Sequence, residues 1–253
     1  MTTSLALDSR LLAGRSITQL RRNPASIVST IVFPLLFFAL FNIVMRKIMS
    51  GRGFDYVQLL PTTVVVQAMF FSAMSSAYYV ADDRLKGITG RLRSMPIHAA
   101  APLTGRAAAD TARGTVSLIV VLAVGIAAGM RFGAGWAWLP AYVCVGMLFT
   151  LAVATAIGLL GYIASSPSAA SSLASVPYLP LLMVSTGFAP VDDFPGWLQA
   201  FVDHQPVSAN IDALRALAGD GSIGNTVPVA LAWSIGLAVV FVSLGARLMR
   251  TRT

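Results

Sequence analysis

Between Phe132 and Val191 the chain contains no Asp, Glu, Lys, Arg or His. A hydrocarbon core about 30 Å thick takes about 20 helical residues, so a run of this length has to cross more than once and turn inside itself. "SSPS" at residues 165–168 supplies the turn chemistry. With 56% hydrophobic and only 11% charged residues, the rest of the sequence points the same way. The fold class that follows is an all-α polytopic membrane protein.

Cutting the chain wherever charge or turn residues interrupt the apolar runs gives six expected transmembrane helices: 25–45, 57–80, 115–130, 136–163, 169–187 and 227–248. They leave an N-terminal interfacial segment (1–24), a charged loop (82–113) and an aromatic, proline-containing segment (188–226). The first apolar run is too long for a signal-peptide core and has no small-residue cleavage site, so it is expected to stay in the chain. With both termini in the cytoplasm, thirteen of the 18 Lys and Arg residues fall on the inside, as the positive-inside rule requires. Arg46, Lys47 and Arg52 in the first outer loop run against it, although Arg46 and Lys47 can snorkel from the end of the first span. The net charge of +8 borders the apolar runs rather than gathering on one domain, which argues for membrane lipid and against nucleic acid as a partner.

Several chemistries are excluded by what the residues lack. A phosphate-binding G-x-x-x-x-G-K-[ST] loop needs a lysine followed by Ser or Thr, but Lys47 precedes Ile48 and Lys86 precedes Gly87. His98 and His204 stand far apart without a cysteine or carboxylate cluster, so neither a metal site nor a catalytic site is expected. The chain is therefore read as holding no cofactor of its own and as not being an enzyme. Apart from Arg247 at the very end of the last segment, the six segments contain no Asp, Glu, Lys, Arg or His, the groups that mark an ion pathway or proton relay, which weighs against an ion-coupled secondary transporter. A membrane-embedded enzyme is weaker still for want of a nucleophile or acid cluster. Cys144, the lone cysteine, is expected to be a small buried apolar filler.

The stretch "ADDRLKGITGRLRSMPIH" (81–98) is where charge concentrates. On a helix, Leu85, Ile88, Leu92 and Met95 share a narrow apolar stripe flanked by Arg84 and Arg91 on one side and Lys86 and Arg93 on the other, with Pro96 as the stop. Such a stripe suits the headgroup region or a groove on a partner protein, and the physics leaves both open. In 188–226, Asp193 is expected to cap a short helix with Pro195 in its first turn and Trp197, Leu198 and Phe201 on its apolar face. Pro206 then interrupts before a second helix ending near Gly219, in which Asp212 and Arg215 form an i,i+3 pair.

"DDRLKGITGRLRSMPIHAAAPLTGR", with its acidic start, R-x-R-S-x-P and later "GR", resembles the cytoplasmic loop of ABC-2-type permeases of the daunorubicin-resistance kind. "FAPVDDFPGWLQAFVDHQPVSANIDALRAL" is similar to that family's outer segment before the last span. The resemblance implies the six-span ABC-2 permease fold and a transmembrane exporter subunit in a bacterial cell membrane. It also implies two copies of a separate cytoplasmic ATPase carrying ATP and Mg, and a second permease copy or a related permease. Carried onto this chain it makes Arg84, Gly87, Arg91, Leu92, Arg93 and Pro96 the coupling residues, with a second contact from an interfacial helix in 1–24. Many relatives have Gly-Thr-x-Glu where this chain reads Gly87, Ile88, Thr89, Gly90, so the carboxylate contact is missing. Ser168, Ser172 and Ser175 become candidate dimer contacts. Asn42 and Gln67 become candidates to line a path for a small hydrophobic or amphipathic substrate, against the simpler reading of interhelical hydrogen bonds.

Overall fold

The computed structural model describes Gly14, Thr18 and residues 24–49, 56–93, 101–133, 135–219 and 223–251. Among them there are helices and turns and no strand. The helices are α1 (Pro24–Met49), α2 (Tyr56–Leu85), α3 (Ile88–Arg93), α4 (Ala101–Ala127), α5 (Leu139–Leu160), α6 (Pro167–Met183), α7 (Gly196–His204), α8 (Pro206–Ala218) and α9 (Thr226–Thr251), with single 3-10 turns at Trp136–Trp138 and Val191–Asp193. Stretches of α2, α4, α5 and α9 are long and apolar enough to cross a membrane, and Ile31–Ile43 within α1 is a shorter apolar stretch.

α2 is the axis of the bundle and packs against α1, α4, α5, α6 and α8. It is also rich in small and polar residues. Ser72, Ala73, Ser76 and Ala77 are fully buried and let neighbouring backbones close in, which is how helices associate where lipid removes the usual hydrophobic drive. Phe70 meets Phe149 and Tyr178, and Phe71 meets Phe33 and Tyr178, filling the gaps between α1, α5 and α6. The greasiest surfaces face outward: Leu36, Leu40 and Ile43 on α1, and Val239, Val240 and Leu244 on α9, are exposed. A chain that hides its small polar residues and shows its aliphatic ones is built for a hydrocarbon solvent.

The helices depart from the expected spans at informative places. α2 continues past residue 80 to Leu85, carrying Asp82, Asp83 and Arg84 as helical residues. The charged segment 82–113 is not a loop throughout, because α4 starts at Ala101 and takes in Arg106, Asp110 and Arg113. The "SSPS" turn begins α6 as its residue types dictate: Ser166 accepts from the Ala169 N–H at 3.1 Å and Pro167 occupies the first turn. α6 ends at Met183, and residues 184–187 continue as turns. Cys144 is exposed rather than buried; it lines a shallow apolar groove of about 590 Å³ with Pro140, Val143, Met147 and Leu151. α5 is apolar on every side, so composition does not show which face turns outward.

The bundle has two ends. One gathers the α2–α3 turn, the start of α4 and the α5–α6 turn. The other gathers residues 130–133 and 135–138, α7, α8 and the turns after α6, where the Gly133 N–H donates to Ala218 O at 3.1 Å.

Candidate coupling site

The helix expected to carry an unbroken apolar stripe from Leu85 to Met95 is broken at Lys86 and Gly87. Gly87 has φ +72°, a left-handed conformation that costs other residues about 1–2 kcal/mol, so α2 stops and the chain turns before α3. The Lys86 N–H closes on Asp82 O and the Gly87 N–H on Arg84 O, both at 3.0 Å, and the Arg91 N–H restarts the ladder on Gly87 O at 3.1 Å. Leu85 and Ile88 therefore belong to different helices. Leu85, Lys86, Gly87, Gly90 and Arg91 are exposed and Ile88 is half-buried. Lys86 pairs with Asp82 at 2.7 Å, and that hydrogen bond holds the ammonium above its ordinary pKa. Leu92 and Arg93 are helical, but their side chains lie outside the described residues, as do Met95 and Pro96. The N-terminal interfacial segment also lies outside them except for Pro24, which begins α1, and Gly14 and Thr18, which are helical and joined by a 2.9 Å bond from Thr18 Oγ1 to Gly14 O.

Arg84 does not sit with this exposed group. Its two terminal nitrogens reach inward, Nη1 donating to Tyr162 O and Nη2 to Ala164 O in the turn after α5.

At the far side of the charged segment lies a group whose role the sequence reading missed. Arg106 grips Asp110 with two bonds, Nε to Oδ2 at 3.1 Å and Nη2 to Oδ1 at 3.0 Å, and Arg113 Nη2 reaches the same Oδ1 at 2.7 Å. All three side chains are at least nine-tenths buried. The cluster is fastened to α2: Arg113 Nε donates to Ser72 Oγ at 3.2 Å, Arg113 Nη2 donates to Ser72 O, and the Arg106 guanidinium lies 4.4 Å from the centre of the Tyr79 ring. Ionic pairs this deep persist only when most of their hydrogen bonds are met. The signal was the i, i+4, i+7 spacing of 106, 110 and 113 on one helical face. Those charges, counted as loop charges in setting orientation, are instead spent on binding α4 to α2.

The exposed turn and α3 are thus rooted at both sides. α2 is pinned to the α5–α6 turn by Arg84, and α4 is pinned to α2 by the buried triad.

The other candidates separate. Gln67 is buried, 2% exposed, on α2, and its Oε1 meets no hydrogen-bond partner among the described residues. Asn42 is half-buried on α1, and no described contact joins it to Gln67. Ser168 and Ser172 are exposed, whereas Ser175 turns inward, donating to Ser171 O at 3.0 Å and lying 3.9 Å from Met74 Sδ. The three serines therefore do not form one outward face. No group of three or more His, Cys, Asp or Glu able to hold a metal occurs among the described residues.

At the opposite end the α7–α8 hairpin folds back on the bundle. Arg215 donates to Thr186 O at 2.5 Å and Gly187 O at 3.1 Å and pairs with Asp212 at 3.7 Å. Burial pushes the Asp212 carboxyl above its ordinary pKa, with the Thr186 side chain and Arg215 pulling against it. Ser208 Oγ accepts from the Thr186 N–H at 3.2 Å, and Gln205 Nε2 donates to Val184 O. α7 starts at Gly196 with Pro195, not Asp193, at its cap, since Asp193 is used in the preceding 3-10 turn. Of the expected apolar face, Trp197 at 81% and Phe201 are exposed and Leu198 is half-buried; the residue that α7 buries is Val202, outside that face.

The ABC-2 type transporter family matches residues 9–218. The chain is a member of that family. It is 28% identical over 238 residues to the daunorubicin resistance ABC transporter permease protein DrrB1 of Streptomyces coeruleorubidus, covering 94% of this chain and 84% of that protein. It is 30% identical over 226 residues to the doxorubicin resistance ABC transporter permease protein DrrB of Mycobacterium tuberculosis, covering 83% and 78%. The chain is thus an ABC transporter permease subunit, a multi-pass protein of the inner membrane.

Proposed function

We propose that this permease moves a hydrophobic or amphipathic substrate outward using ATP hydrolysed by a separate cytoplasmic ATPase that docks on the Gly87–Pro96 segment. The observation that carries the reading is a short, exposed, basic element standing between two helices that are both pinned into the bundle. A push on such an element moves helices rather than bending a free loop. In this account the permease has six spans with both termini inside, it lacks an ATPase site, and ATP and Mg bind to two ATPase subunits. A second permease copy or a related one completes the pathway, with Ser168 and Ser172 as the better-placed contacts between permeases and Asn42 and Gln67 toward the path. The drug-resistance names of the two relatives support the substrate class.

Co-purification and transport in vesicles test this together. An ATPase should accompany the wild-type permease in constant ratio, and Leu92→Asp should lower substrate-stimulated hydrolysis while leaving membrane insertion intact. Transport by the purified permease alone, without nucleotide, would overturn the proposal.

A further inference from the structure

Arg84 belongs to the basic loop by sequence and to the bundle by structure. We propose that it is a positioning residue, a clamp that makes the end of α2 and the α5–α6 turn move as one body when α3 is pushed, rather than a contact for the ATPase.

Several observations place the clamp. α5 ends in tight turns, with the Gly161, Tyr162 and Ile163 N–H groups each bonding three residues back. The carbonyls of Tyr162 and Ala164 lie just past the helix end, where orphan acceptors and the negative end of the helix dipole favour a cation. Arg84 supplies it, and its planar fork reaches both carbonyls at once, which a lysine cannot do. Beside it the two backbones are already in contact: a Cβ on Gly161 would lie 2.5 Å from Ala77 O and 2.7 Å from Val80 Cβ, so only glycine fits. Tyr162 and Val80 close the same seam as a small buried pair. Asp82, on the same helix end, is engaged with Lys86 rather than with Arg84 in the described ion pairs.

The consequence extends the coupling path. A displacement entering at α3 would reach α6 through the 161–166 turn as well as through α2, which bears on α6 along its length. This rests on reading α3 as the docking element, so the test separates the two ideas. In the full permease–ATPase complex in lipid nanodiscs, Arg84→Gln should keep wild-type ATPase stoichiometry while substrate moved per ATP falls about ten-fold, the scale of losing charge-assisted hydrogen bonds. Arg84→Lys should fall between. Spin labels on the exposed positions Leu85 and Ser165, in a Cys144→Ala background, supply a second reading that also works on the permease alone. The wild-type distance should be narrow and unchanged between nucleotide-free and nucleotide-trapped states, and Arg84→Gln should broaden it. Loss of the ATPase from Arg84→Gln would make Arg84 a docking contact and overturn the clamp, as would an unchanged transport ratio or an unchanged label distribution. Absence of an ATPase from the wild-type preparation would instead count against the docking role of α3, leaving the label distances to decide the clamp.

Discussion

At each end of this permease an arginine grips carbonyls just past the end of a helix: Arg84 those of Tyr162 and Ala164 after α5, and Arg215 those of Thr186 and Gly187 after α6. The same device serves opposite ends. Beside Arg84 the chain leaves the bundle in an exposed glycine-containing turn and a six-residue helix. Beside Arg215 it folds back, and α8 is buried along most of its length. One end presents a handle; the other is a lid-like hairpin packed down on the bundle. The difference teaches that the same carbonyl-capping chemistry anchors both ends, which are distinguished by where the next helix goes.

Asp110→Asn should give the largest effect at the handle end. It keeps the shape but leaves two buried guanidinium groups without their shared carboxylate, a loss of about 3–5 kcal/mol, read as a lower melting temperature and poor accumulation. An unchanged melting temperature would show that the triad does not hold α4 to α2. At the lid end, Arg215→Ala should cost about 2–3 kcal/mol through its charge-assisted bonds and expose residues 188–226 to limited proteolysis. Persistent resistance would mean that apolar packing alone keeps the lid shut. Gly87→Ala should cost only about 1–2 kcal/mol, because no atom lies within 4 Å of the added Cβ and the penalty is the left-handed backbone alone. Its signature should be weakened ATPase stimulation at near-normal expression.

The smallest expected effect concerns Asp212. Burial raises its folded pKa above the unfolded value of 3.8, so its contribution to stability is full below that value and lost as pH rises through the folded pKa. Asp212→Asn should flatten that slope in a thermal-shift series across the acidic range, matching wild type at the acid end and slightly exceeding it at neutral pH. A slope identical to wild type would assign the acid response elsewhere.

Legibility in the sequence followed the range of the forces. Local features were readable: the helical class, the turn at Ser166 and Pro167, the Asp212–Arg215 pair and the stop at Gly219 are set by neighbours within a turn. The buried triad was readable in principle from its spacing, but three charges beside a basic loop look solvated when read along the chain. Arg84 gave no local signal, since its acceptors lie 78 and 80 residues away. Cys144 was misplaced because a helix apolar all round gives no period from which to tell lipid from neighbour.

The central claim is that an external ATPase grips the handle end. A photo-cross-linker at Gly90, whose Cβ would meet nothing within 4 Å, compared with one at the exposed Trp197, tests it most directly. The account predicts an ATPase adduct from Gly90 and none from Trp197. An adduct from Trp197, or none from Gly90 in a complex that still couples hydrolysis to transport, would contradict it.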